Sequence, residues 1–519
     1  MAPPSIESAS RLASPSSSSN RSIDDKAARK VVRLVFIALL LDLLAFTMPL
    51  PLFPRIIDDF VQREASQSLT SPTLLSRTLS TVLLLRSYLT SSPPSSTTTS
   101  RFDLTLLGGL LGSTFSFCQF LISPFLGTLS DKYGRKKVLM VSMIGNLVSA
   151  GLWLGSGERF AVYAASRIVG GLSEGNVQLS IAAISDVTTR SNRSKSLALI
   201  GLAFAISFTL GPSLGAYFAS TDLFHLSSSP VVRIPLLGEI KLNSYAVPAA
   251  ITLALLSIET LYLAACLPET KGWRKEHQEE TVAEQKEGEK VRRTPEERRE
   301  RLKELEWIHF GFLFFFLGAE FTITFLTNNL FDFSNSQNGR LLGFIGILSS
   351  LLQGGYVRRF STTPSKTFSL ALSGIKTCQI SLLLLSSLPS LSNRCSSNPK
   401  LPLLVLYLAA AGLAYVSATV VNSLNSLASL ETDQTELVAG GGGGGEIEEK
   451  KGKALGRFRS KGQLGRALGP LFATGVYWVV SPGVAYACCA IGMAIVASRM
   501  SRLRRKGKGE ELEERRKKE

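Results

Sequence analysis

The ionisable side chains inside long apolar runs that could do chemistry in this 519-residue chain include Asp42, Arg167, Glu174 and Glu320. A charged group in a run that crosses a bilayer is costly unless it is paired, wetted or, for an acid, protonated. We therefore expect Asp42 to take up and release a proton; the alternative is that it only holds its helix against its neighbours. Glu320 is the only acid well inside an apolar run of the second half and is a candidate cavity carboxylate.

Arg167 belongs to a polar set at helical spacing: Arg167, Gly171, Glu174 and Gln178. Spacings of four, three and four residues place the set on one helix face, which must point into a bundle or a wet cavity rather than at lipid. Arg167 is then placed to hold an anion or to modulate the acidity of Asp42. The alternative is that Arg167 and Glu174 neutralise each other while the glycines permit close packing.

The elements that carry these side chains are apolar runs of about 20 residues, the length of a helix that crosses a hydrocarbon core of roughly 30 Å. Hydrophobic residues make up 45% of the chain, and their grouping into such runs predicts a membrane protein. The predicted spans lie near 31–51, 104–126, 138–156, 160–187, 196–219, 245–267, 307–330, 341–357, 367–388, 401–424, 464–481 and 483–499. The predicted fold class is therefore an all-α membrane protein with twelve transmembrane helices in two six-helix, pseudo-symmetric halves.

The predicted domains follow the charge pattern: a disordered tail (1–30), an N-terminal half (31–267), a charged linker (268–306), a C-terminal half (307–500) and a charged tail (501–519). A run of glycines at 440–445 predicts a flexible insert in the second half. Residues 55–103 are predicted to form a long loop. Thr294-Pro295-Glu296-Glu297 matches a capping box with proline at the first helical position, which predicts a helix leading into span seven.

Basic residues set the expected orientation. The loop between spans two and three carries four cations, Lys132, Arg135, Lys136 and Lys137, and basic residues also follow span four, at Arg190, Arg193 and Lys195. Short loops rich in Lys and Arg face the cytoplasm, so both termini are expected there, in the plasma membrane or in a vacuolar or other internal membrane. The net charge of +17 follows from the same bias and requires no nucleic acid as a partner.

Sequence signals for enzymes are missing. There is no Walker loop or H-E-x-x-H motif, and the glycine run at 440–445 lacks the strand-turn-helix context of a phosphate loop. The six cysteines have no metal-ligand spacing, and the three histidines are scattered. We therefore expect no enzyme activity, no cofactor and no metal.

Three motifs occur in order at the expected spans. They are Gly127-x3-Asp131-x2-Gly134-Arg135-Lys136 between spans two and three, Arg167-x2-Gly170-Gly171 in span four, and Gly211-Pro212-Ser213-Leu214-Gly215 in span five. On these motifs the chain resembles the major facilitator superfamily over nearly its whole length. The third motif is the one associated with antiporters, although Ala216 stands where its second final glycine is usual.

A closer resemblance begins in span one. Asp42 followed by Pro51 and Pro54 is similar to the first span of tetracycline/proton antiporters, and Asp186 and the Leu267-Pro268-Glu269 ending of span six also fit that group. Within it, the chain resembles most the eukaryotic tetracycline-transporter-like proteins, which are regarded as carriers of organic anions or drugs.

The same resemblance implies a latch that closes the cytoplasmic side. Asp131 would face the N-terminus of span eleven, near Gly465-Arg466-Ala467-Leu468-Gly469-Pro470, and Arg135 would pair with Asp186. Gly127 and Gly134 would allow the close approach and the tight turn. If the cations were only topological anchors, the acid Asp131 among them would have no explanation. In span five, Gly211, Pro212 and Gly215 predict a kinked, closely packed helix at a moving interface.

The function implied is a secondary transporter of a small organic molecule, an organic anion or an amphiphilic drug-like solute, working by proton-coupled antiport and alternating access. Its partners would be that solute, protons and the lipid bilayer, and the chain would act as a monomer. A uniporter or symporter of the same fold is one alternative. A receptor or chaperone that transports nothing is another, because a fold does not dictate function.

Overall fold

The computed structural model describes residues 16–49, 52–66, 73–90, 101–157, 159–220, 231–234, 238–241, 245–273, 294–360, 363–394, 400–432 and 451–518. Outside these ranges lie the glycine run at 440–445, residues 1–15 of the predicted tail, residues 274–293 of the predicted linker, and Pro51.

Helices and one short β ribbon make up the described chain. In order they are α1 (Ser16–Thr47), α2 (Phe53–Ser66), α3 (Leu74–Thr90), α4 (Arg101–Tyr133), α5 (Arg135–Leu154), α6 (Phe160–Ser173), α7 (Asn176–Val187), α8 (Arg190–Ser220), β1 (Val231–Ile234), β2 (Gly238–Lys241), α9 (Ala246–Cys266), α10 (Pro295–Phe331), α11 (Asn335–Leu351), α12 (Pro364–Arg394), α13 (Lys400–Thr432), α14 (Lys451–Val479) and α15 (Pro482–Lys518). A π-helical turn (Leu352–Val357) and one further turn (Arg358–Phe360) continue α11.

Nine of the described helices are long and apolar enough to cross a membrane: α4, α5, α8, α9, α10, α11 with its continuation, α12, α13 and α15. The other three predicted spans fall on α1, on α6 with α7, and on α14. Two of these, α1 and α14, carry charged residues along their length, and the third is divided into two short helices. The three predicted spans that fall short thus carry charged residues or contain a break.

Several boundaries differ from those predicted. Helix α1 begins at Ser16, inside the segment predicted to be disordered, and α15 continues to Lys518 through the predicted charged tail. Helices α2 and α3 lie in the predicted loop, and both pack on α4. The ribbon pairs Val231 with Lys241 in antiparallel register, so the chain is not purely helical.

The helix into span seven follows the predicted capping box. The Thr294 hydroxyl accepts from the N–H of Glu297 at 3.3 Å, and Oε2 of Glu297 accepts from the N–H of Thr294 at 3.0 Å. Because proline at the first position needs no hydrogen-bond partner, Pro295 fits this start. The prediction is confirmed, and the helix runs unbroken from this cap through the apolar run to Phe331.

The helices of the first six predicted spans contact those of the last six along two seams. At the first seam α4 packs along α14, and the Ser460 hydroxyl donates to the carbonyl of Phe120 at 2.7 Å. At the second seam α8 packs against α11 and α13, and the hydroxyls of Ser194 and Ser426 lie 2.6 Å apart. Large apolar side chains such as Phe125 and Leu261 are exposed on the outside of the bundle, as expected of a surface that faces lipid.

Candidate functional site

The Asp42 carboxylate lies near the end of α1, with only 3% of the residue exposed. Its Oδ1 atom accepts a hydrogen bond at 2.7 Å from Nδ2 of Asn176, the first residue of α7. The positive end of the α7 dipole and this amide both favour an anion here. Glu174 and Arg459 lie within electrostatic range of the carboxylate. Asp42 therefore belongs to a charge cluster inside the bundle.

Span four is interrupted at Glu174, where the sequence predicts one continuous helix. The backbone of Glu174 is extended (φ −73°, ψ 90°), and the N–H of Gly175 donates to the Ser142 hydroxyl at 2.9 Å instead of to an α-helical carbonyl. Oε2 of Glu174 accepts from Nδ2 of Asn146 at 3.2 Å. Discontinuous helices expose backbone groups to a central site in many transporters. The break places Glu174 beside the first turn of α7.

Arg167 is held mainly by aromatic rings. The guanidinium carbon lies 5.9 Å from the ring centre of Phe115, 6.0 Å from that of Trp153 and 5.7 Å from that of Tyr163. Such cation–π contacts stabilise a cation inside a helix bundle. Arg459 and Arg466 act electrostatically on Glu174.

Two arginines of α14 that the sequence reasoning did not single out complete the cluster. Arg459 and Arg466 are seven residues apart and so share one helix face. Arg459 acts electrostatically on Asp42 and Glu174, and Arg466 acts on Glu174 and Glu320. The two arginines thus connect acids of the first half with the acid of α10 in the second half.

Gln463, on the same face of α14, joins Arg459 to Gln119 of α4 through hydrogen bonds. With its amide oriented to satisfy both neighbours, its nitrogen donates to Oε1 of Gln119 at 2.7 Å and its oxygen accepts from Nε of Arg459 at 3.3 Å. The spacing Arg459-x3-Gln463-x2-Arg466 is a sequence signal that could have revealed the site. It was missed because the predicted span eleven begins only at residue 464, which leaves Arg459 outside it.

A further acid, Glu259 of α9, also escaped the sequence reasoning. The residue is 1% exposed, and within the part of the chain that the structure describes its Oε2 atom has no hydrogen-bond partner. Asp42 and Glu174 are the charged groups that act on it. Three carboxylates of the first half therefore lie close enough to influence one another.

Asp42, Arg167 and Glu174 line a common cavity with Phe46 and Phe115, among other residues. Its volume is about 50 Å³, enough for a few water molecules. Sites for drug-sized ligands are typically about 300–1,000 Å³. This cavity must therefore widen to admit an organic solute.

A second site lies at one end of the bundle, at the first seam. Asp131 of α4 accepts from the N–H of Gly452 and from that of Lys453, each at 2.8 Å. These residues form the first turn of α14, so the carboxylate contacts the N-terminus of this helix as predicted. The predicted position, Gly465–Pro470, is wrong because α14 begins at Lys451, and Gly465 packs instead against the backbone of Phe310.

The Arg135 guanidinium joins the acids at this end. Its Nη1 donates to Oδ1 of Asp131 at 2.8 Å, and its Nε donates to Oδ2 of Asp186 at 3.0 Å, the ion pair predicted from the sequence. Nζ of Lys451 lies 3.1 Å from Oδ1 of Asp186. Both Arg135 and Lys451 are buried. We call the contacts of Asp131, Arg135, Asp186, Lys451 and Gly452 the latch, and this end of the bundle the latch end.

Two glycines make the latch geometry possible. A Cβ atom on Gly127 would lie 2.1 Å from the carbonyl oxygen of Gly452, so only glycine lets α4 approach α14 this closely. Gly134 has φ +105° and turns the chain between α4 and α5. Beside it, Oε1 and Oε2 of Glu269 accept from the N–H groups of Arg135 at 2.7 Å and Lys136 at 3.2 Å. Glu269 thus caps α5.

The motif in span five packs within its own half. Gly211 lies against the Thr47 hydroxyl, and Gly215 lies against the carbonyl of Met48 at the end of α1. Pro212 is inside α8, which stays helical from Arg190 to Ser220. The close packing expected of Gly211, Pro212 and Gly215 is present, but its partner is α1, not a helix of the other half.

Arg193 makes a second contact at the latch end between helices of the first six and the last six predicted spans. The residue is fully buried, and its Nη2 donates to the carbonyls of Ser185 at 2.8 Å and Thr188 at 3.1 Å at the end of α7. Its Nη1 donates to the carbonyl of Ser429 in the last turn of α13 at 3.3 Å. Cations are favoured at helix C-termini, and this one bridges two of them. The sequence reasoning treated Arg193 only as a marker of orientation.

The chain matches the sequence model of the Major Facilitator Superfamily over residues 35–440. It is 32% identical over 477 residues to the mouse protein "Major facilitator superfamily domain-containing protein 10", a match that covers 89% of this chain and 90% of that protein. It is 35% identical to the quinolone resistance protein NorA of Staphylococcus aureus over 124 residues, 23% of this chain and 32% of that protein.

The fold is similar to the crystal structure of the human organic anion transporter MFSD10 (TETRAN), with a TM-score of 0.69 and 28% identity, covering 91% of this chain and 99% of that chain. Together with the apolar helices, these similarities show an integral membrane protein that crosses the bilayer several times. The chain belongs to the major facilitator superfamily, whose members are transporters rather than enzymes.

Proposed function

We propose that this chain carries organic anions through a membrane by alternating access, coupled to protons. In this proposal it acts as a monomer with twelve spans in two halves and both termini in the cytoplasm. The helices that complete the twelve are α1, α6 with α7, and α14. Support for an anionic substrate comes from the name of the human relative and from the guanidinium groups of Arg459 and Arg466, which are the protein groups best suited to bind a carboxylate or phosphate.

The observation that carries the proposal is the charge cluster between the halves. Asp42 and Glu174 belong to the first half, while Arg459 and Arg466 belong to α14 in the second half. Asp42 and Glu174 act electrostatically on Arg459, and Glu174 also acts on Arg466. When a carboxylate gains a proton, it no longer competes for the guanidinium groups, which become available to an anion. Proton uptake and anion binding therefore favour each other, as linkage requires.

The charge of the solute decides whether it moves in the same direction as the protons or in the opposite direction. An anion and a proton that bind together move in the same direction, so an organic anion is cotransported with protons. The antiport implied by the resemblance applies instead to a cationic solute, because a cation competes with protons for Asp42 and Glu174. Antiport of an amphiphilic cation is the second candidate function. The aromatic walls of the cavity, Phe46, Phe115 and Trp153, and the similarity to a quinolone resistance protein favour it.

Uptake into vesicles that contain the purified full-length protein tests the proposal. A fluorescent carboxylated dye should enter faster when the outside is more acidic, and Arg466→Gln should slow uptake by roughly tenfold or more, the loss of one charge-assisted contact. Lys461→Gln is the matched control on the same helix, since Lys461 lies over the Trp307 ring, 4.8 Å from its centre, and not in the cluster.

The alternatives give different results in the same vesicles. Faster uptake of an amphiphilic cation when the inside is more acidic would establish antiport. Flux of neither solute under any pH gradient would favour a receptor or chaperone. Anion flux that responds to a pH gradient equally in wild type and in Asp42→Asn would remove Asp42 from the coupling while leaving transport in place.

A further inference from the structure

An open cleft lies at the second seam. It has a volume of about 430 Å³ and is lined by Lys195, Gly354, Arg358 and Arg359. Lys195 is in α8 of the first half, whereas the two arginines follow the π-helical turn of the second half. All three cations are exposed to solvent. Positive charges from both halves therefore face one space.

These cations have no counter-charge of their own. In the ranges that the structure covers, neither a salt bridge nor a hydrogen bond engages the side chain of Lys195, Arg358 or Arg359. Other basic residues near the latch end are paired, such as Arg301 with Glu431 at 3.1 Å and Arg457 with Glu306 at 2.6 Å. Three like charges around one cleft repel each other, and a bound anion would reverse the sign of that interaction.

The π-helical turn fixes the arginines relative to α8. A Cβ atom on Gly201 of α8 would lie 1.6 Å from Nε2 of Gln353, and one on Gly354 would lie 3.7 Å from Cδ1 of Leu202. The two segments are therefore in direct contact at the start of the cleft. A π-helical turn inserts an extra residue into a helix and often marks a functional site. Here it turns Gln353 inward and leaves Arg358 and Arg359 at the surface.

At the first seam, an acidic side chain of the chain itself bridges the two sides. There, Asp131 supplies an anion that joins α4 to the first turn of α14. At the second seam the cleft between α8 and the end of α11 contains cations from both sides. A bridging anion at this place must therefore come from outside the chain.

The surroundings of the cleft indicate where that anion comes from. Ile347 and Leu351 of α11, the helix that leads to the two arginines, are 56% and 68% exposed, as expected of side chains that face acyl chains. Tyr356 and Phe360, with ring centres 5.5 Å apart, flank the two arginines in the chain. Aromatic residues of this kind mark the boundary between hydrocarbon and headgroups. The cleft is thus at headgroup depth.

We propose that the cleft binds the phosphate of an anionic phospholipid headgroup, which bridges Lys195 of one half to Arg358 and Arg359 of the other. Guanidinium and ammonium groups bind phosphate strongly, and basic pockets between helices at a membrane surface are suited to such headgroups. The lipid would hold the second seam closed, as Asp131 holds the first. It would regulate the transporter by favouring the conformation closed at the latch end.

Binding of a fluorescent phosphatidylinositol phosphate to the full-length protein in phosphatidylcholine micelles tests the proposal. Replacement of Lys195, Arg358 and Arg359 by Gln should weaken binding by roughly tenfold or more. The control replaces Lys137, Arg502 and Arg505 by Gln; these are three exposed cations outside the cleft, and binding should remain close to that of wild type. Added salt should weaken wild-type binding more than that of the cleft variant.

Two further measurements distinguish the phosphate of a lipid headgroup from a phosphate in solution. If inorganic phosphate or a soluble inositol phosphate displaces the lipid at similar concentration, the cleft is an anion site that does not need acyl chains. If only the lipid binds, the headgroup is held at the membrane surface as proposed. Equal loss in the control variant, or no loss in the cleft variant, would overturn the proposal. If the triple variant is poorly produced, Lys195→Gln alone is tested instead. It removes the one cleft cation that α8 supplies and should also weaken binding.

Discussion

The N–H of Gly452 in α14 donates to Oδ1 of Asp131 in α4 at 2.8 Å, although 321 positions separate the two residues in the chain. The next N–H, that of Lys453, donates to Oδ2 at the same distance. One carboxylate thus occupies two of the backbone donors that have no partner within the first turn of a helix. This contact holds the first seam together at the latch end.

Asp131→Asn should slow transport while expression and membrane insertion stay normal. Asparagine offers one acceptor oxygen instead of two and no charge, so the conformation closed at the latch end loses stability. A hydrogen bond to a charged group contributes about 1.5–3 kcal/mol, which corresponds to roughly a tenfold or larger shift of the equilibrium. Initial uptake rates in vesicles measure the effect. Asp59→Asn, which breaks a surface ion pair with Arg63 in α2, is the control. An unchanged rate in Asp131→Asn would show that the latch is wrong.

Glu269→Gln should lower the thermal midpoint of the purified protein. Both carboxylate oxygens of Glu269 accept N–H groups at the start of α5, so an amide must lose one of these bonds, at a cost of about 1 kcal/mol. Glu297→Gln is the matched control. Only Oε2 of Glu297 accepts from the backbone, and a capping box accommodates glutamine in place of glutamate. Equal midpoints for the two variants would contradict the capping role of Glu269.

Glu259→Met should raise thermal stability and reduce proton-coupled transport. The change removes a buried carboxylate that lacks a partner for Oε2 and replaces it with an apolar side chain of similar length. If Glu259 takes part in moving protons past Asp42 and Glu174, the same change reduces uptake driven by a pH gradient. Measuring both quantities separates the two roles, since a purely structural acid would alter stability and leave the coupling intact.

Glu174 and Arg459 should show coupled effects on anion transport. Glu174→Gln leaves Arg459 without its strongest acidic neighbour, and Arg459→Gln removes a cation that acts on both Glu174 and Asp42. If the two side chains interact across the halves, the double variant loses less than the sum of the single losses. A double-mutant cycle on uptake rates measures this difference. Strictly additive losses would place the two residues in separate roles.

The sequence predicted the acids better than the cations of the central cluster. Asp42 and Glu320 stand out because each interrupts an otherwise apolar run. Arg459 and Arg466 belong to a helix with many charges, where average hydrophobicity predicts that the span begins at residue 464, whereas α14 begins at Lys451. The polar face that points at the cavity and the apolar face that points outward cannot be distinguished by averaging along the chain.

The break in span four and the partner of Asp131 show a second limit of prediction from the sequence. Residues such as Gly175 are tolerated inside helices, so the interruption at Glu174 has no local signature in the sequence. It depends on tertiary bonds from Ser142 and Asn146 of α5. The pairing of Arg135 with Asp186, by contrast, follows a motif with fixed spacing and is present in the structure. Contacts encoded by a motif were predicted, whereas those that depend on packing were not.

The helices that bear the charge cluster have a consequence for biogenesis. Helices α1 and α14 carry ionisable groups that disfavour partitioning from the translocon into lipid as isolated segments, at about 2.5–3.5 kcal/mol for each charge at a helix centre. Their arginines and acids come from opposite ends of the polypeptide, so neutralisation must wait until α14 has been synthesised. Stable integration of α1 is therefore a late, cooperative event, and a nascent chain truncated before Lys451 should be held by chaperones or degraded instead of accumulating as a half-transporter.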